Sequence, residues 1–135
     1  MKVTHHEIEA ELLDSWWSEA GMVGFVPVSS AFCVDLNGLI EQDIFEVHIP
    51  QISPVIRASG IGIFNTNYEA TAQKRVVNIL CAIRGNIPLP PVQVVAGKND
   101  SLFRYKLTAG HHRLYCSIAC GFTHIPAVLG FDPHA

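Results

Sequence analysis

The chain has 135 residues, 49% hydrophobic and 16% charged, the size and composition of one folded domain, which excludes a disordered polymer. No window approaches the ~18 uninterrupted apolar residues of a spanning helix, and the opening Met1-Lys2-Val3-Thr4-His5-His6-Glu7 lacks the apolar stretch of a signal peptide, so no membrane partner and a cytoplasmic location are expected. The net charge of −3 is divided: residues 1–42 hold one base and seven acids, residues 43–131 eight bases and four acids. An acidic leader ahead of a basic body suits an anionic ligand and argues against strong non-specific DNA binding, although an uneven scatter of solvated charges gives the same totals.

In chain order, residues 4–20 predict an amphipathic helix. Thr4 and Glu7 match the T-x-x-E capping box, and Ile8, Leu12, Leu13, Trp16, Trp17 and Ala20 form an apolar stripe stopped by Gly21. The Trp16-Trp17 pair reads as core or interface packing, and a homodimer through this helix is a partner it allows. Residues 22–42 predict extended chain, with Phe32, Val34 and Leu36 alternating and Asn37-Gly38 as a turn. Residues 44–49 predict a strand stopped by Pro50 and Pro54, and Gly60 to Asn67 a loop.

A second helix is predicted from Tyr68 to Arg84, with Asn67 or Thr66 as N-cap and Gly85 as stop. Its inward residues are Ala72, Val76, Ile79, Leu80 and Ile83. Pro88, Pro90 and Pro91 forbid further helix, so strands follow at Val92 to Val95 and Leu102 to Leu107, joined by a turn at Gly97-Lys98-Asn99-Asp100. Another helix runs to Cys120 before Gly121, and residues 124–129 close as a strand. The alternation predicts an α+β domain, a small mixed sheet packed with helices plus the N-terminal amphipathic helix.

Gly110-His111-His112-Arg113, where a strand gives way to a helix, carries the chemistry. A glycine there lets backbone approach a ligand, the helix start presents its positive dipole end, and Arg113 offers a fork of donors matching a phosphate. Ordinary helix capping with surface histidines accounts for the same residues. Four cysteines (Cys33, Cys81, Cys116, Cys120) lie among apolar neighbours and read as free thiols; Cys116 and Cys120 fall on an inward stripe, so no metal site is expected.

Residues 46–130 resemble the ParB/sulfiredoxin superfamily. Val47-His48-Ile49-Pro50 resembles its opening strand, V-x-x-(I/V)-P, and residues 74–84 are similar to the helix reading EKVxxLxxxIR in sulfiredoxins. Pro90-Pro91-Val92-Gln93-Val94 resembles the P-P-I-x-V strand, and Tyr105 to Arg113 the Y-x-x-x-x-G-x-H-R box, or the G-E-R-R box of partition proteins. His124-Ile125-Pro126-Ala127 resembles the closing (E/D)-x-I-P-A strand. The resemblance implies a ParB/sulfiredoxin-like domain over 43–131, with residues 1–42 outside it. It also implies a pocket for a nucleoside triphosphate, ATP or CTP, with Mg2+. Gly110, His111, His112 and Arg113 would hold phosphates, with Arg75 and Asn78 standing where sulfiredoxins have a lysine and a serine.

The departures shape the expected function. Sulfiredoxin repair runs through a cysteine that this chain replaces by His111, so the chain is not a sulfiredoxin. Partition proteins have Glu at that position, and no helix-turn-helix follows Leu129, so sequence-specific DNA reading is not expected. Free-serine kinases have Asp where Ala109 stands. The reading that remains is a nucleotide phosphate-binding protein, an NTPase or phosphotransferase, with His111 as acid, base or phosphate donor and Glu46 as general base. A DNA-binding or nuclease-like accessory protein and a catalytically inert interaction module are the alternatives.

Overall fold

The computed structural model describes residues 1–36, 43–54, 69–98 and 101–130. Its first residues pair as a hairpin instead of coiling into the expected long helix: β1 (Lys2–His5) and β2 (Ile8–Glu11) run antiparallel, with His5 opposite Ile8. His6 occupies the turn at φ 55, so Thr4 and Glu7 do not form a capping box. The reason is tertiary. Alternation carries Val3, His5, Ala10 and Leu12 into the interior, and a strand can bury such a period-two set on one face. Only α1 (Asp14–Glu19) is helical in this region. Trp16 lies wholly inside, where it packs in the core, and Trp17 is half-buried.

The segment after α1 makes one parallel bridge, Val34 to Leu89, where a strand was expected. The Asn37-Gly38 turn, the loop from 60 to 67 and the N-cap at Thr66 or Asn67 lie outside the described residues. β3 (Phe45–His48) runs into a 3-10 turn at Ile49–Gln51, as the proline-bounded strand predicts. α2 (Glu69–Arg84) comes next, burying Ala72, Val76, Leu80 and Ile83, while Ile79 stays half-exposed. Asn86, one residue beyond the predicted glycine stop, takes the left-handed conformation at φ 54. Around it the Ile87 N–H donates to the Ala82 carbonyl (2.8 Å) and the Asn86 N–H to that of Ile83 (3.2 Å), the paired bonds of a Schellman ending.

β4 (Val92–Ala96) and β5 (Tyr105–Ala109) pair antiparallel, β5 starting three residues later than expected with Leu102 in solvent. The Gly97 N–H donates to the Arg104 carbonyl (2.8 Å), and a Cβ at Gly97 would overlap the Phe103 carbonyl oxygen. α3 (His111–Cys120) crosses over to β6 (His124–Leu129). The four-stranded sheet has the order β3-β6-β4-β5, with β4 and β6 parallel. Pro126 is accommodated in the interior strand because the parallel ladder with β4 begins only at Ala127.

The result is a small mixed α+β domain, with two sheets and three α-helices among the described residues. One buried cluster joins Leu12, Trp16 and Met22 to Val76, Leu80, Val94, Leu114 and Ile125. Each such side chain contributes about 1.5–3 kcal/mol on leaving water. The Tyr115 hydroxyl donates to the Ile8 carbonyl (3.2 Å), tying α3 to the hairpin. Among the described residues no helix is long and apolar enough to cross a membrane.

Candidate functional site

A cavity of about 500 Å³ opens between α2 and the start of α3. Arg75, Asn78 and Ile79 line it from α2, at helical spacings of three and four that place them on one face. Gly110, His111, His112 and Arg113 line it from the other side. Six residues singled out from the sequence, separated by more than thirty positions in the chain, thus share one hollow.

The local chain explains how. β5 carries an irregularity against β4: Gln93 is opposite Ala109 while Val94 is opposite Leu107, so Thr108 is an extra residue. Such a bulge bends the strand and re-aims the residues after it. Gly110 then turns the chain into α3 at φ 107 and ψ 29. A Cβ at this position would lie 2.5 Å from Val92 Cγ1 and 3.1 Å from Arg113 Nη2. Only glycine lets the helix start this close to β4. The dipole of α3 therefore sets its positive end against the cavity.

Arg113 is held in place by the chain's own backbone carbonyls. Its Nη1 donates to the Pro90 carbonyl (2.7 Å) and the Pro91 carbonyl (3.0 Å). Burial pulls the guanidinium below its ordinary value, and a lowered arginine at neutral pH is still a cation. With Arg75 across the hollow, two arginines, two imidazoles, an amide side chain and a helix N-terminus form a donor-rich lining. No carboxylate is among the described residues that line it.

Glu46 is not brought to this site. Alternation in β3 turns Val47 inward and Glu46 outward, where it accepts from the Ser30 hydroxyl (3.2 Å). β3 is also the sheet edge opposite β5, whose end leads into the cavity. The thiols on α3 are equally unsuited: burial drives Cys116 well up and Cys120 to about 12. Sequence reasoning read Ile79 as a core residue and gave the proline carbonyls no role.

A second cavity, of about 340 Å³, lies beside the hairpin and is lined in part by His5, His6, His48 and Ile118. His5 Nε2 donates to the Ile52 carbonyl (2.8 Å), and the His48 and His124 rings face each other at 5.1 Å across β3 and β6. Reading residues 4–20 as a helix hid this grouping; the alternation of Val3 and His5 was its signal. No group of three or more His, Cys, Asp or Glu among the described residues is placed to hold a metal.

Comparison with known proteins finds no matching family model, curated protein or solved structure. A triphosphate fits the donors of the first cavity, which are cationic or neutral N–H groups. Mg2+ prefers carboxylate and phosphate oxygens; the described lining offers only the Asn78 amide oxygen, so the ion would arrive on the phosphates.

Proposed function

We propose that this chain binds a nucleoside triphosphate by its phosphates in the cavity between α2 and α3, as a ParB/sulfiredoxin-like domain. The observation that carries the reading is the convergence of Arg75 and Asn78 with Gly110-His111-His112-Arg113 on one hollow. Its volume lies within the range of about 300–1,000 Å³ usual for small-molecule sites. Further support is the order of elements: a strand into Ile49-Pro50, a helix through residues 74–84, a strand after Pro90-Pro91, the glycine turn, and a closing strand through Ile125-Pro126-Ala127. When bound, Mg2+ supplies charge neutralisation on the phosphate oxygens. The arginines orient the chain of phosphates, and the helix start stabilises charge on the terminal one.

Isothermal titration of ATP and CTP, with Mg2+, against wild type, Arg75→Ala and Arg113→Ala tests this. Each lost guanidinium–phosphate contact is worth about 1.5–3 kcal/mol, so affinity should fall by about 10–150-fold. Absence of binding to wild type, or equal affinities in all three proteins, overturns the reading. Capture of a DNA fragment with steep salt dependence and no nucleotide binding would replace it by contact with a phosphate backbone.

A further inference from the structure

We propose that an imidazole of the His111-His112 pair accepts the terminal phosphoryl group, making a phosphohistidine enzyme intermediate; the proposal rests on the nucleotide reading above. The described lining is Arg75, Asn78, Ile79, Gly110, His111, His112 and Arg113, which contains no hydroxyl, thiol or carboxylate. Phosphoryl transfer needs a nucleophile, and water needs something to take its proton. Among these side chains the imidazoles are the nucleophiles. A neutral imidazole carries a lone pair on one ring nitrogen, so it attacks without first losing a proton. The two thiols of the same helix, Cys116 and Cys120, are buried in the core and held protonated. Glu46, the acid that would serve a hydrolytic route, hydrogen-bonds Ser30 outside this cavity.

In the transfer step the ring nitrogen attacks the γ-phosphorus and an N–P bond forms. The bond from that phosphorus to the β–γ bridging oxygen breaks, its electron pair leaving on the nucleoside diphosphate. The phosphorylated ring gives the proton on its other nitrogen to water. Water or a second acceptor hydroxyl then attacks the phosphorus and the N–P bond breaks with its electron pair left on the ring nitrogen; the ring takes up one proton as the attacking O–H gives up its own, which restores the neutral imidazole. Arg75 and Arg113 sit where charge develops on the oxygens during transfer.

The test incubates the full chain with ATP or CTP radiolabelled in the γ-phosphate, with Mg2+, and measures binding of the imidotriphosphate analogue in parallel. The expected product is a protein-bound label that is lost in acid, survives alkali and maps by peptide mass spectrometry to residues 111–112. Label per bound nucleotide should fall by about two orders of magnitude in His111→Asn or His112→Asn, whichever removes the acceptor. Mapping on wild type decides the matter even where a variant fails to fold. Analogue binding without label overturns the acceptor role and leaves nucleotide binding standing. Neither binding nor label overturns both, and an acid-stable label, or one that survives in a protein carrying both His111→Asn and His112→Asn, refutes the histidine assignment.

Discussion

Replacing Gly110 by alanine should be among the most damaging single-methyl changes in this protein. The added Cβ would meet Val92 Cγ1 at 2.5 Å and Val92 Cβ at 2.9 Å, and Val92 is fully buried in β4. The backbone at φ 107 adds its own penalty, since side chains disfavour that region. Strain of about 1–3 kcal/mol and overpacking of about 1–3 kcal/mol place the loss at about 2–6 kcal/mol. Domains hold only about 5–15 kcal/mol in all. Gly24 supplies the control: it also has positive φ, +83, but an added Cβ meets nothing within 4 Å. Gly24→Ala therefore reads the backbone part alone, about 1–2 kcal/mol. Urea unfolding of both variants, with Val92→Ala in a double-mutant cycle, separates the contributions. Trimming Val92 should recover about 1–2 kcal/mol of the Gly110→Ala loss as coupling. If Gly110→Ala costs no more than Gly24→Ala, or the cycle is strictly additive, the close approach of α3 to β4 is not what makes glycine necessary there.

Buried groups give three further outcomes. Ser117 is fully buried and its hydroxyl has no hydrogen-bond partner among the described residues, so Ser117→Ala should stabilise the fold by up to about 1 kcal/mol in urea unfolding. The imidazole of His5 is lowered from the usual 6.5, chiefly by burial. Above that value it is neutral folded and unfolded; as pH falls below 6.5 the unfolded chain binds the proton first, so stability declines from there toward the lowered folded value. Unfolding curves from pH 7.5 down to 5 should show this loss in wild type and a smaller one in His5→Asn. A thiol reagent on the native protein at pH 8 should spare Cys116 and Cys120, whose thiols burial keeps protonated, until denaturant is added; rapid native labelling of either would contradict the buried position of that face of α3.

Much of the fold was legible because local signals and packing agree. α2, β4, α3 and β6 lie close to where periodicity, the proline run and the glycine at the end of α3 predict them. The N-terminus misled because Ile8, Leu12 and Trp16 fit a helical spacing while Val3, His5, Ile8 and Ala10 fit strand positions of a hairpin. A capping-box match cannot outweigh docking of that hairpin on α3, which is not visible locally. The two halves of the candidate site's lining were legible, the glycine turn from its residues and Arg75 with Asn78 from the family resemblance. The tether of Arg113 to Pro90 and Pro91 depends on chain segments more than twenty residues apart and has no local signature. Glu46 was misassigned although alternation around Val47 already pointed it away from the interior.

That tether has a mechanical corollary. Two successive prolines leave no backbone N–H of their own to donate, and their carbonyls are gripped by a single nitrogen of a rigid planar fork. The arginine is thereby parked in one rotamer, with its conformational search finished during folding. For any anion that docked there, the entropy ordinarily lost in immobilising a long flexible side chain would already have been absorbed. A lysine in its place could not reproduce this arrangement, because a lone ammonium on a mobile stem has no second edge to turn toward a guest.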